Sequence, residues 1–284
     1  MCAPSFDKLG LGTRYDTLVH VIIERWQPLA AIGGLALFWA WEMFAPFFRF
    51  RGRGRHAARN LTVVIINVAV ASLLFASATV ASARFSETNE LGLLYLLPLA
   101  TSAHFVAALL ALDFWTYWWH RANHEIPFLW RFHRMHHSDP AMDVTTATRF
   151  HTGELALSSA LRLALIPLIG IPLGALALYE FILLASTQFH HANIGLPPAL
   201  DRALRAVIVT PSMHKVHHSV EIAETNSNYT SLLSLWDRLF RTFRLREDDH
   251  TIQFGVQQYS ASRFQTIVGL LITPFTSSKD APAR

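Results

Sequence analysis

From Leu61 to Ala83 the chain runs for 23 residues without a charged side chain, and from Leu91 to Leu112 for another 22. A helix crosses a bilayer core with ~20 mostly apolar residues. Two further stretches are of this kind: Leu29–Phe48, interrupted only by Glu42, and the 30-residue Leu155–Leu184, which carries Arg162 and Glu180. In the last of these Pro167, Gly170, Pro172 and Gly174 crowd the middle. Two shorter helices forming a hairpin, or one sharply kinked helix, are therefore expected there. A soluble chain can bury one such run, but four leave it too little polar surface. Only 15% of the residues are charged, against about a quarter in an ordinary soluble domain. Backbone groups in hydrocarbon have to be satisfied within their own segment, which makes the spans helical. The expectation is an all-α, multi-span helical membrane protein with spans at about 29–48, 61–83 and 91–112 and a membrane hairpin at about 155–184.

The charges are placed as such a topology requires. The connection Arg49–Arg59 holds five arginines and no acid, whereas Ser82–Glu90 sets Arg84 against Glu87 and Glu90. Short cytoplasmic connections carry the excess of arginine and lysine, so the arginine connection is expected on the cytoplasmic side. Residues 113–154 and, after the hairpin, 185–250 follow it there. The net charge of +4 is then explained by topology and anionic headgroups, and no nucleic-acid partner is expected. A multi-pass protein of this orientation suits a bacterial inner membrane.

Three regions result: 1–112 with the first spans, 113–250 as a catalytic region, and 251–284 as a C-terminal tail. Within the tail Phe264–Phe275 is too short to span and reads as a packing or interfacial helix. Met1–Gln27 has no basic start followed by an apolar core, so no cleavable leader is expected. Asn60-Leu-Thr62 and Asn228-Tyr-Thr230 match the glycosylation pattern but fall on the cytoplasmic side. Cys2 is the only cysteine, which excludes an internal disulfide, an iron–sulfur cluster and a thiolate zinc site.

Eleven of the 15 histidines lie between residues 120 and 218. His120 and His124 stand at i and i+4 on one helical face. His133, His136 and His137 stand at i, i+3 and i+4, and His214, His217 and His218 repeat that spacing. These eight imidazoles are too many for one tetrahedral metal and suit two metals, each with an open position. An all-nitrogen set accepts zinc, copper, iron or nickel. Asp113 lies on the same helical face as Tyr117, His120 and His124. It is expected either to accept the free N–H of a ligand histidine or to end a membrane helix at the interface. Arg121, Arg131 and Arg134 are expected to face headgroups or acids, and Trp115, Trp118, Trp119 and Trp130 to form an interfacial aromatic belt.

In its histidine boxes the chain resembles the fatty acid hydroxylase/sterol desaturase superfamily of integral membrane di-iron oxygenases. The resemblance covers about 113–243. Asp113-Phe-Trp-Thr-Tyr-Trp-Trp-His120-Arg121 with His124 is similar to the family's first box, Phe132-His133-Arg-Met-His136-His137-Ser138 to the second, and Thr210-Pro211-Ser-Met-His214-Lys-Val-His217-His218-Ser219 to the last. Asn228-Tyr229 and Ser234-Leu-Trp236-Asp237-Arg238-Leu-Phe240 resemble the closing signature. The resemblance implies His191, in Phe189-His190-His191-Ala192-Asn193, as a further ligand, with His190 and Asn193 as neighbours of the site. It also implies His151 as a ligand, although Thr152 stands where the family has proline. Thr230 and Arg241 stand where the family has glycine.

Lipid chains offer inert C–H bonds that no side chain oxidises, so the chemistry belongs to a metal cofactor. The resemblance implies two iron ions in a cytoplasmic histidine-rich helical cap that use O2 and two electrons to hydroxylate or desaturate a fatty acyl, sphingolipid or sterol-like lipid. With one cysteine and no flavin or nicotinamide fingerprint, the electrons are expected from a separate electron-transfer protein. Carotenoid or isoprenoid hydroxylation is the nearest alternative. A metal transporter or metal-binding membrane protein is the alternative of another class, but it needs ligands along the membrane path, where only His104, Glu42, Glu180 and Arg162 stand.

Overall fold

The computed structural model describes residues 26–276; Cys2, most of the segment expected to lack a leader, and residues 277–284 lie outside it. The described chain is helical, and its β features are two isolated bridges, Ile208 with Leu233 and Ser219 with Phe254. Helix α1 spans Gln27–Phe44. Helix α2, Arg53–Ala71, continues through a π-helical stretch, Ser72–Ala76, into α3, Ser77–Thr88. Then come α4 Thr101–Glu125, α5 Pro127–His137, α6 Thr152–Ile169, α7 Leu173–His191, α8 Pro198–Leu204 and α9 Pro211–His217.

Three boundaries depart from the hydropathy pattern. First, α1 stops short of the expected 29–48 because the residue before Pro46 is disfavoured in the helical region, and Ala45 is not helical. Second, much of the arginine connection is not a loop. Gly52, with φ +80°, turns the chain, and Arg53 through Arg59 form the first turns of α2, as their arginines and alanines favour. Third, the expected span 91–112 is not one helix. Leu93–Leu96 makes a 3₁₀ turn and Leu97 is extended before Pro98. Helix α4 starts only at Thr101 and runs on past Asp113 to carry the first histidine box.

The hairpin expected at 155–184 is formed by α6 and α7, which meet at Gly170. Arg162 and Glu180, the two charges of that run, pair with each other across it. Gly170 (φ +89°) and Gly92 (φ +124°) approach so closely that a Cβ on Gly92 would lie 2.2 Å from the Gly170 nitrogen. His104 Nε2 lies 2.8 Å from the Gly170 carbonyl and ties α4 to the same turn. Behind it Ala83, Ala108, Leu112, Ile166, Leu176 and Tyr179 form the core between α3, α4, α6 and α7.

By length and composition two stretches, Arg53–Leu96 and Thr152–Ile169, are apolar enough to cross a membrane. Their outer faces leave Leu73, Leu74, Leu96 and Leu168 largely exposed. As far as Thr276, the residues after 250 pack on the helices before them. The short helix Ile267–Ile272 packs Leu270 against Val63 and Met135, and Arg134 donates to the carbonyls of Thr273 and Thr276.

Candidate metal centre

Four helices converge at one end of the bundle. Helix α4 contributes His120 and His124 from its last two turns, and α5 contributes His133, His136 and His137. Helix α7 contributes His191 as its last residue, while α9 brings His214 and His217, with His218 just beyond its end. The ring nitrogens sort into two groups, each within 4.8 Å: His120, His124, His133, His137 and His217 in one, and His136, His191, His214 and His218 in the other. His133, His136, His137, His191, His214, His217 and His218 are each 2% exposed or less.

The tautomers decide what these groups can hold. The Nδ1 atoms of His120, His133 and His217 lie 2.6, 2.9 and 2.6 Å from the Tyr229 carbonyl, a Glu154 carboxylate oxygen and the Ser227 carbonyl. All three partners are acceptors, so each Nδ1 carries the proton, and in the neutral ring each Nε2 then offers a lone pair. Yet Nε2 of His120 lies 3.1 Å from that of His133 and 3.0 Å from that of His217. In the second group His191 donates from Nδ1 to the Thr187 carbonyl (2.8 Å). Its Nε2 stands 3.2 Å from that of His136 and 3.0 Å from that of His214. Converging lone pairs repel unless a cation lies between them. Two ligands ~2.1 Å from a metal and 90–109° apart are themselves ~3.0–3.4 Å apart, which matches these separations. The residues therefore fit a metal ion in each group.

Burial first, and then the neighbouring imidazoles, push the rings of His136, His137, His214 and His218 well below the ordinary histidine pKa of 6.5. His217 is brought down to about 3, with burial again the largest cause. Rings held neutral at pH 7 are in the state that metal ligation requires.

A second layer holds the grouped histidines in place. Glu154, in the first turn of α6, is the carboxylate that orients His133, and Asn123 donates to it at 3.4 Å. Arg149 is fully buried and clamps the end of α5 by donating to the Met135 carbonyl and Ser138 Oγ. Asp139, two residues past His137, receives His56 from α2 at 2.8 Å. Burial opposes ionisation of Asp139, but His56 and Arg149 outweigh it and hold the carboxyl below its usual range. An acid in a helix's first turn reads from sequence as a response to the helix dipole, and so Glu154 went unassigned. Nothing local marks Arg149 or His56.

Several expected residues lie elsewhere. His151 caps α6: its Nδ1 accepts from the Gly153 N–H and its Nε2 donates to the Leu271 carbonyl, so neither nitrogen is left for a metal and it joins neither group. Asp113 meets no histidine, because it accepts from Trp236 Nε1, the Leu233 N–H and the Tyr179 hydroxyl, and so fixes the closing signature to α4. Asn193 ties the end of α7 to Phe48 through two 2.8 Å bonds. Trp130 packs on the cluster, with its ring 5.1 Å from that of His124 and 5.6 Å from that of His137. His190 is buried beside His191 and His214 but belongs to neither group. Arg241, where the resembled family has glycine, keeps a left-handed φ of +59°.

Residues 105–242 match the family model described as fatty acid hydroxylase. The ornithine lipid hydroxylase OlsE of Rhizobium tropici is 30% identical over 171 residues, covering 60% of this chain and 50% of that protein. The alkylglycerol monooxygenase of Homo sapiens is 31% identical over 160 residues, 55% of this chain and 34% of that protein. The very-long-chain aldehyde decarbonylase GL1-4 of Oryza sativa is 25% identical over 150 residues, 48% of this chain and 23% of that protein. The chain thus spans half or less of the length of these curated relatives, and no solved structure matches it. Across 105–242, the stretch that brings all nine grouped histidines together, the chain is similar to the fatty acid hydroxylase family.

Proposed function

We propose that the protein is a multi-pass membrane oxygenase that uses two iron ions, O2 and two electrons to oxidise a C–H bond of a membrane lipid. The observation that carries this reading is the pair of imidazole groups whose Nε2 lone pairs converge at 3.0–3.2 Å. Bound there, iron supplies the one-electron and oxygen chemistry that side chains lack. The chain's own part is to bury nine imidazoles and aim them at two points. Glu154 and the carbonyls of Tyr229, Ser227 and Thr187 take their outer protons.

Hydroxylation is the favoured outcome, because ornithine lipid hydroxylase and alkylglycerol monooxygenase are both named for oxygen insertion. In balance, R–H, O2, two electrons and two protons give R–OH and water. The electrons come from a separate electron-transfer protein on the water side, and the lipid comes from the bilayer in which α2, α3, α6 and α7 stand. The centre lies at the cytoplasmic face of a bacterial inner membrane, at the arginine-bearing end of α2. Transport of metal is disfavoured because the polar groups of the apolar stretches are satisfied by protein. His104 is bonded to Gly170, Arg162 to Glu180, and Glu42 to Val144, Asn193 and Arg53.

The test is turnover in lipid nanodiscs with iron-loaded protein, a chemical reductant, isotopically labelled O2 and a broad lipid extract. The expected product is a lipid carrying one labelled oxygen. His136→Ala is expected to insert normally and to lose turnover. Full iron occupancy with no O2 uptake beyond the uncoupled background would overturn the reading.

A further inference from the structure

Two histidines end α7, and only His191 enters a group. His190 is 1% exposed, and both of its ring nitrogens are buried without a hydrogen-bond partner. Its ring centre lies 4.0 Å from that of His214 and 4.6 Å from that of His191, so it packs on two of the four ligands of the smaller group. A buried imidazole with neither nitrogen satisfied is costly, and a phenylalanine of similar shape would fill the space without that penalty. A polar ring kept in such a place implies a partner that the chain itself does not provide. The groups are also unequal, five imidazoles against four, so the four-histidine position is the one with room for a small exogenous ligand.

We propose that His190 is the hydrogen-bonding residue for the small oxygen ligand, water or O2, at the open position of the four-histidine site. The tenth imidazole of the cluster then holds what the metal binds rather than the metal itself. This inference rests on the reading of the two groups as metal sites, but not on the identity of the lipid.

The test uses azide, a small anion that takes open positions on iron, titrated by absorbance into iron-loaded wild-type, His190→Phe and His190→Gln protein. Iron per chain and helix content are measured on the same samples. The expected result is unchanged iron in all three proteins, with azide bound at least about tenfold more weakly by His190→Phe. His190→Gln is expected to recover most of the loss through its amide N–H. If the phenylalanine proves too large to fold, His190→Leu makes the same comparison. Azide affinity in the apolar variant within about twofold of wild type overturns the proposal, and so does loss of one iron per chain, which would make His190 a ligand. Lipid product formation is read separately. Absence of product with intact iron and His190-dependent azide binding sinks the proposed activity alone.

Discussion

At the scale of single residues, a proton and a metal ion would compete for one lone pair on a ligand imidazole, and burial works against the proton at His136, His137, His214, His217 and His218. His217 is held at about 3, and His136, His137, His214 and His218 well below 6.5. In the unfolded chain these rings titrate near 6.5. Between the two values the unfolded state binds more protons, so stability rises with pH across that window and falls as pH drops through it. Each such ring contributes up to about 1.4 kcal/mol per pH unit. Metal-free protein in detergent is therefore expected to lose apparent Tm steeply between pH 7 and pH 5, and a flat profile there would contradict the neutral cluster. The box spacing made eight of the nine grouped histidines legible in the sequence. What it did not show is the partition: each H-x-x-H-H box gives its i, i+4 pair to one group and its i+3 member to the other. His133 and His137 join His217, while His214 and His218 join His136. That crossing depends on how α5 faces α9, which no local pattern encodes. His151 was misleading because a histidine that caps a helix and one that binds a metal look alike in a sequence.

At the scale of elements, hydropathy found the apolar material but not where helices begin. A run of uncharged residues is blind to Pro98, which breaks 91–112, and to Gly52, which lets α2 start among the arginines. The closing charges Arg162 and Glu180 looked like flaws in a membrane run and prove to be partners. The turn between α6 and α7 is a demanding contact, because Gly92 and Gly170 both have positive φ and touch backbone to backbone. Gly92→Ala forces a side chain into a left-handed region and against the Gly170 nitrogen at 2.2 Å. The expected cost is at least about 2 kcal/mol, read as a lowered apparent Tm and a lower yield of folded protein. Gly33→Ala is the control. Gly33 lies inside α1 with nothing within 4 Å of the new Cβ, so the change is expected to be neutral or slightly stabilising. Equal losses in the two variants would show that the close approach does not hold the hairpin.

At the scale of the whole molecule, the length of the α2–α3 rod links the membrane to the metal centre. Arg53 to Thr88 at 1.5 Å per residue makes a rod of roughly 54 Å, well beyond the ~30 Å of a hydrocarbon core. Some of it must therefore lie outside the core, and the arginines of its first turns make that the end which meets water in the proposed topology. That end is the one that reaches the centre, where His56 meets Asp139 just past His137, and Asn60 bonds to Thr145 at 2.9 Å. The histidine groups and the arginines then share one end of the rod, and in the proposed topology the excess of positive charge puts that end on the cytoplasmic side. The single cysteine allows a direct test. In a Cys2→Ser background, cysteines placed one at a time at Arg51, Asn89 and Gln253, all exposed, report which side each position faces to a membrane-impermeant maleimide. Arg51→Cys and Gln253→Cys are expected to label only once sealed cells are opened, and Asn89→Cys from outside the intact membrane. If Arg51 and Gln253 label from opposite sides, the rod does not carry its basic end to the histidines. The histidine cluster would then lie on the face away from the arginines, out of reach of a cytoplasmic electron donor.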